Sequence, residues 1–282
     1  MEKNILLTIE YDGTAFSGWQ RQPSVRTVQG ELERVLTDLC GMQDGKPIEL
    51  SGTSRTDAGV HALGQRASFK GEFGIPAERI PLAASHMLAS GRGGKCACGD
   101  VRITAAEEMA PDFHARFNSV GKTYRYIIKH GTEPRVFERN YCYHIKQHLS
   151  AENMRKAAAE IVGTHDFACF QAAGGTPRET TVRTVYGLHI IEVSENELHI
   201  EITGDGFLYN MVRIIAGTLC EVGQGKRKPD EITQIIKSKD RRKAGHTAPP
   251  QGLYLVEIYY DSARMKAAAQ MEEASGNTET EV

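Results

Sequence analysis

The stretch Thr53-Ser54-Arg55-Thr56-Asp57-Ala58-Gly59-Val60-His61-Ala62-Leu63-Gly64-Gln65 decides how the first half of this chain reads. It is a polar, glycine-bearing turn between two short runs of strand length, 47–52 and 65–70. Asp57 is its one carboxylate. If residues 54–57 run extended, side chains alternate, so Arg55 and Asp57 share a face and the guanidinium favours the ionised carboxylate. Ala58 and Gly59 then leave room for a substrate. This makes Asp57 a candidate nucleophile, against the commoner role of an Asp before Ala-Gly, which is to bond nearby backbone amides.

Upstream, Ile5, Leu7, Ile9 and Tyr11 alternate along residues 4–11 and predict a half-buried strand ended by Asp12-Gly13. Val28, Leu32, Val35, Leu36 and Leu39 recur at helical spacing before Gly41. Downstream, Pro76 to Leu88 reads as a helix despite Pro81, and Val101 to Ala105 as a strand. A second cycle opens near Val120, where Tyr124, Tyr126 and Ile128 share one strand face. Ser150 caps a helix carrying Met154, Ala157, Ala158 and Ile161, with Gly163 as its stop. Val182 to Val193 and Leu198 to Thr203 predict a hairpin across Glu195-Asn196. Met211, Ile214, Ile215, Thr218 and Val222 form another helical stripe, followed by a short helix at Pro229 to Ile236 and a last strand at Leu253 to Tyr259.

Two successive units of this kind predict an α+β protein: two similar α/β domains, 1–114 and 115–265, with mainly antiparallel mixed sheets flanked by helices and an active-site cleft between the domains. Residues 266–282 are polar and rich in Ala, Glu and Thr, and are expected to form a disordered tail.

The 282 residues are 40% hydrophobic and 25% charged, the balance of a soluble globular protein, and no apolar run reaches membrane-spanning length. Met1-Glu2-Lys3-Asn4 leads into a strand pattern rather than a signal peptide, so a cytoplasmic location is expected. The six cysteines are scattered and expected to be reduced. Neither Cys96-Ala97-Cys98 nor the group Cys142, His144 and His148 has a four-ligand spacing, and both read as structural; no metal is expected. Net charge is −2, but four Glu against one Lys in residues 266–282 leave the body neutral and locally basic. Arg21 with Arg26, Arg135 with Arg139, Lys226-Arg227-Lys228 and Lys239 with Arg241-Arg242-Lys243 are candidate phosphate-facing patches, although solvated surface charge is the usual reading of each.

Arg55-Thr56-Asp57-Ala58-Gly59-Val60-His61-Ala62 is very similar to the signature of the tRNA pseudouridine synthase A family. The resemblance continues through Glu10-Tyr11-Asp12-Gly13, Gly18-Trp19-Gln20-Arg21-Gln22, Phe113-His114-Ala115-Arg116-Phe117 and Lys122-Thr123-Tyr124-Arg125-Tyr126. Gly163-Thr164-His165-Asp166-Phe167, Met211-Val212-Arg213 and Gly252-Leu253-Tyr254-Leu255-Val256 follow in the family's order. The resemblance implies a pseudouridine synthase domain with the catalytic aspartate at 1–114 and a second one at 115–265. It implies isomerisation of uridine to pseudouridine in the anticodon stem-loop, at tRNA positions 38, 39 and 40, by a homodimer that uses no small-molecule cofactor and no membrane. Asp57 is then the nucleophile, Tyr124 the residue that packs on the uracil and is a candidate for assisting proton removal at C5, and Arg213 the basic residue that pairs with the catalytic carboxylate. Arg55, with Arg21 and Arg116, is implied to handle the RNA.

Each role competes with a plainer one. Tyr124 suits a core tyrosine, Arg213 a surface arginine on an amphipathic helix, Arg55 an ion pair with Asp57, and His61 a packed histidine rather than a base. The chain departs from the family in Ser54, where Gly is usual, and in the Gly-rich, cationic segment 90–99. A noncatalytic RNA chaperone predicts binding without isomerisation. Hydrolysis at an aspartate is weaker, because no second carboxylate, metal cluster or phosphate loop accompanies Asp57.

Overall fold

The structure is a computed structural model that describes residues 2–90, 99–175 and 179–270. Among the described residues are ten strands and six α-helices. They fall into two compact units. The first runs to Val120 and takes back Tyr254–Tyr260; the second runs from Gly121 to Leu253 and resumes at Asp261. The break therefore lies six residues beyond the predicted 114, and the first unit reclaims a strand from the end of the chain. The Gly-rich insertion falls at 91–98, outside the described residues.

In the first unit the chain forms β1 (Lys3–Tyr11), α1 (Val28–Cys40), β2 (Ser51–Gly52), β3 (His61–Gly71), α2 (Ile80–Ser90) and β4 (Val101–Met109). β1 is central, antiparallel to both β3 and β4, with Ile5 opposite Phe69 on one side and Glu108 on the other. Its alternating residues Ile5, Leu7 and Ile9 are fully buried, as is the stripe Val28, Leu32, Val35 and Leu36 of α1. Thr27 caps α1 by accepting from Gly30 N.

The strand expected over 47–52 shrinks to Ser51–Gly52 for a definite reason. Ile48 N donates to Thr37 Oγ1 and Leu50 N to the buried Glu33 Oε1, both at 2.9 Å. Side chains of α1 thus take the donors that a strand ladder would use. Pro81 sits in the first turn of α2, where its fixed φ suits the helix.

The second unit contains β5 (Gly121–His130), β6 (Tyr143–Ile145), α3 (Ala151–Ala159), β7 (Gly163–Asp166), β8 (Val182–Ser194), β9 (Glu197–Gly204), α4 (Met211–Gly223), α5 (Glu231–Ser238) and α6 (Ser262–Gln270), and β10 (Leu253–Tyr259) starts at Leu253, this unit's last residue before Asp261. β5, β9, β8 and β7 pair in that order, all antiparallel, and β6 runs parallel to the end of β5. Every residue of α4 except Arg213 and Glu221 is buried, so this helix is a core rod rather than an amphipathic surface helix. α3 ends at Ala159, and Gly163, expected as its stop, opens β7 with φ of 120°.

The body of β10 belongs to the first unit, where it lies parallel to β3 with Tyr254 opposite His61 and Leu255 opposite Ala62. Gly64 permits this approach, since a Cβ there would sit 2.4 Å from Val256 O. The tail expected to be disordered from 266 is helical to Gln270, with Met265 and Ala269 of α6 buried; residues 271–282 lie outside the described residues. Among the described residues no helix is long and apolar enough to cross a membrane.

Candidate active site

Asp57 sits in a loop that main-chain bonds and close packing hold tightly. Thr53 N donates to Arg66 O (2.9 Å), extending the short pairing of β2 with β3 by one step. Beyond it the chain leaves the sheet. Ser54 and Thr56 are buried, Arg55 is exposed and Asp57 half-buried, so side chains alternate as an extended segment requires. The turn Asp57–Val60 then closes through Val60 N donating to Asp57 O (3.2 Å), with Gly59 at φ of 78°. That left-handed conformation is one that glycine adopts without strain.

Two separated stretches, 11–13 and 18–19, converge on this loop. Tyr11 OH shares a 2.7 Å hydrogen bond with Thr56 Oγ1. Trp19 N donates to Thr56 O (3.1 Å), while the Trp19 indole lies so close over Gly52 that a Cβ there would be 2.3 Å from the ring nitrogen. Gly13 N donates to His61 Nδ1 (3.1 Å), and a Cβ on Gly13 would be 2.0 Å from Val60 O. Gly18 approaches Thr56 O in the same way, at 2.8 Å for an added Cβ. Close backbone approaches at Gly13 and Gly18 thus join the Tyr11 hydroxyl and the Trp19 ring in holding the loop.

Gln65 is the anchor that the sequence reading did not single out. It is fully buried, accepts from Ser54 N at 3.2 Å and donates to Ser54 O at 2.7 Å, mimicking a strand partner for the segment that has left the sheet. Its only sequence sign is a polar residue on the buried face of β3. Ser54 Oγ is buried without a hydrogen-bond partner among the described residues, so the serine contributes no bond where glycine is usual. His61 is buried and stacked on Tyr254 at 4.7 Å, with Nδ1 accepting from Gly13 N. A nitrogen already accepting a bond at the loop's base is a support, not a general base.

The other two RNA-handling candidates of the first unit differ. Arg21 is half-exposed and held by acids, with Nη1 3.0 Å from Glu33 Oε2 and Nη2 3.7 Å from Glu49 Oε1. Arg116 is exposed, packs over the Phe117 ring at 5.7 Å, and has no ion pair among the described residues. Phe117 is itself 76% exposed and lies tilted against the His114 ring at 4.3 Å, which makes this a ready aromatic and cationic surface.

In the second unit Tyr124 lies on β5 opposite Ile202, 8% exposed, with its ring edge-on to Phe207 at 5.3 Å. Phe207 fixes the tyrosine's orientation and was not foreseen. Tyr126, two residues on, donates to Pro249 O (2.7 Å), and its ring leaves no space for a Cβ on Gly252. Burial pushes the Tyr126 hydroxyl well above its ordinary pKa, opposed by the Arg213 charge, so it remains a donor at neutral pH. Arg213 emerges from the buried helix α4 with both ends of its guanidinium directed: Nε donates to Ala248 O and Nη1 to Asn210 Oδ1, each at 2.8 Å. Ala248 N returns a bond to Arg213 O (3.0 Å). Asn210 holds a left-handed conformation, φ 60°, immediately before the helix, and spends its side chain on Arg213. The surface-arginine reading of Arg213 therefore fails, because the helix that carries it is buried.

The profile described as tRNA pseudouridine synthase matches residues 7–118 and 157–261, more than half of the chain. The chain belongs to the tRNA pseudouridine synthase family. Its matched stretches contain Asp57, Arg55 and Arg213, whereas Tyr124 falls in the interval between them. A tRNA pseudouridine synthase A of Bacillus subtilis (strain 168) is 47% identical over 255 residues, covering 90% of this chain and 98% of that protein. Proteins of the same name from Thermoanaerobacter sp. (strain X514) and Acetivibrio thermocellus are each 46% identical over 258 residues, 92% of this chain and all of theirs. The two stretches that converge on the Asp57 loop, 11–13 and 18–19, lie in two of the blocks that resemble the family.

Proposed function

We propose that this chain isomerises uridine to pseudouridine in tRNA, with Asp57 as nucleophile. The observation that carries this reading is the rigid seat built under Asp57 by Tyr11, Gly13, Gly18, Trp19 and Gln65 in a chain of the tRNA pseudouridine synthase family. In the reaction the bond from C1′ of the ribose to N1 of uracil breaks, a bond from C1′ to C5 forms, the C5 proton leaves and N1 takes up a proton, so no atoms are gained or lost. An ionised carboxylate that forms and releases a covalent intermediate suits such a reaction. The chemistry asks for no redox cofactor.

The 1–114 part of the chain supplies the carboxylate. The 115–265 part supplies Tyr124, whose ring face suits stacking on a uracil, and Arg213, a cation held in place by Ala248 and Asn210. A uridine within a stem must be extruded to react, and Arg55 is the planar cation suited to fill the space it leaves. We further infer that the targets are the uridines on the 3′ side of the anticodon arm, and that the working form is a cytoplasmic homodimer whose basic groups, Arg116 among them, track the phosphates.

Incubating the protein with an unmodified transcript of an anticodon-arm uridine-rich tRNA, and mapping pseudouridine along it, tests the proposal. Pseudouridine in the anticodon arm is expected. An unmodified transcript that still binds supports an RNA chaperone instead, and pseudouridine elsewhere overturns the choice of target.

Tyr124 carries a separate prediction. Tyr124→Phe keeps the ring edge on Phe207 and removes only the hydroxyl, so tRNA affinity is expected to hold while turnover falls roughly 100-fold or more, the scale of a lost general base. Tyr124→Ala removes the stacking face as well and weakens binding by about 1–3 kcal/mol. Single-turnover rates with filter-binding affinities separate the two; unchanged turnover in Tyr124→Phe takes the hydroxyl out of the mechanism.

A further inference from the structure

We propose that Glu138, Cys142 and His144 form a site for one divalent transition-metal ion of zinc-like chemistry. One ligand atom from each lies within 4.8 Å of the others. An ion bound tetrahedrally at 2.0–2.3 Å sets its ligands about 3.3–3.8 Å apart. Glu138 Oε2 and His144 Nε2 already stand 3.7 Å apart. The widest pair closes by about an ångström, within the reach of a side-chain rotation.

The second observation concerns what these atoms lack. Both ring nitrogens of His144 are buried with no hydrogen-bond partner, as is Glu138 Oε2, and the His144 side chain is 11% exposed. Buried polar atoms are ordinarily paired, and an imidazole with neither nitrogen engaged is among the rarer exceptions. A metal ion satisfies one nitrogen and the idle carboxylate oxygen together.

Local structure presents the three groups to one point. Glu138 ends a 3₁₀ turn at Val136–Glu138, and its carbonyl accepts from Tyr141 N at 2.9 Å and from Cys142 Sγ at 3.4 Å. That turn folds the thiol back beside the carboxylate. His144 lies on β6 opposite Lys129 of β5. Lys129 Nζ holds Glu138 Oε1 at 2.8 Å and Glu197 Oε2 at 3.3 Å, and Glu197 Oε1 meets His199 Nε2 at 2.9 Å. The carboxylate is thus oriented by an outer partner and keeps Oε2 for an ion.

The surrounding charges choose the class of ion. Lys129 and Arg135 already act on Glu138, so a hard cation held by charge alone gains little. An ion that prefers sulfur and imidazole gains two good ligands. His148, grouped with Cys142 and His144 by sequence, is elsewhere, with Nδ1 3.1 Å from His130 Nδ1. Three protein ligands leave a fourth position for water or an incoming donor. The isomerisation needs no metal, so the ion acts as a staple between the 3₁₀ turn, where Phe137 is 90% exposed, and β6.

Full-length protein stripped of metal and kept reduced is titrated with Co²⁺ and then Zn²⁺. One equivalent of Co²⁺ is expected to give thiolate-to-cobalt charge-transfer absorption that Zn²⁺ abolishes. Cys142→Ser should lose the band. Glu138→Gln and His144→Gln should weaken binding by about 100-fold or more, above the range set by loss of an outer partner alone. The double variant Cys96→Ser with Cys98→Ser should keep the band unchanged. Zn²⁺ should also raise the melting temperature of the wild type and not of Cys142→Ser. A wild type without the band, or the same band in Cys142→Ser, overturns the site. If Cys142→Ser does not fold, an unchanged Co²⁺ affinity in Glu138→Gln and His144→Gln overturns it equally.

Discussion

Replacing Asp57 by Asn or Ala is expected to abolish pseudouridine formation, with single-turnover rates at least about 10⁴-fold below wild type, since removal of an enzyme's nucleophile costs on the order of 10⁴–10⁶. The fold should survive. The turn that carries Asp57 closes through backbone, Val60 N to Asp57 O, and the loop is positioned by Thr56, Gly59 and Gln65, none of which the substitution touches. The half-buried side chain contributes no apolar core. Its melting temperature should therefore stay within a few degrees of wild type, and tRNA affinity within about threefold, because phosphate contacts rather than the carboxylate supply most of the binding. Rates within tenfold of wild type in a folded Asp57→Asn would remove Asp57 from the chemistry. A protein that fails to melt cooperatively would instead make Asp57 a structural residue of the turn.

How far the sequence reached depends on how local the controlling physics was. The alternation of Ile5, Leu7 and Ile9, the stripe Val28, Leu32, Val35 and Leu36, and the hairpin across Glu195-Asn196 are short-range patterns, and all appear where expected. The start of β3 at His61 rather than 65 is hidden because part of its pairing comes from β10, which arrives from the far end of the chain. The strand expected at 47–52 is cut short because the buried Glu33 and the half-buried Thr37 on α1 accept its amides, a capture that requires knowing where the helix lies. α6 was missed because only Met265 and Ala269 face inward, too few to show a stripe.

The candidate site divides in the same way. Asp57, Tyr124 and Arg213 were legible through motif wording, while their supports were not. Gln65 looks like an ordinary strand polar residue, Phe207 a loop aromatic, and Asn210 a turn residue; each gains its role from a contact distant in sequence or from an unusual backbone angle. Glu138 is a similar case, since a carboxylate four residues before a cysteine has no meaning until a 3₁₀ turn folds one over the other.

Gly13→Ala tests whether that seat matters to rate. The added methyl would stand 2.0 Å from Val60 O and 2.6 Å from Val60 C, against ordinary contacts that begin at 3.4 Å. Both neighbours are backbone, so no side chain can swing away. Either the Asp12-Gly13 turn or the Asp57–Val60 turn must move by roughly an ångström, and an ångström of misplacement costs about 10² in rate. The accompanying strain is about 1–3 kcal/mol, the usual scale of overpacking, which lowers the melting temperature by roughly 2–4 °C for each kcal/mol in a chain of this size. The bond from Gly13 N to His61 Nδ1 is loosened by the same motion, which couples the stability loss to the loop rather than to the sheet. Turnover in Gly13→Ala should therefore fall about 100-fold with tRNA affinity nearly unchanged, because the phosphate-facing groups lie elsewhere. Gly74→Ala, at a glycine with nothing within 4 Å, should change neither quantity. Assayed beside Asp57→Asn under single-turnover conditions, the two variants separate placing the carboxylate from having one. Turnover in Gly13→Ala within threefold of wild type would show that the loop relaxes freely and that its close packing does not position Asp57.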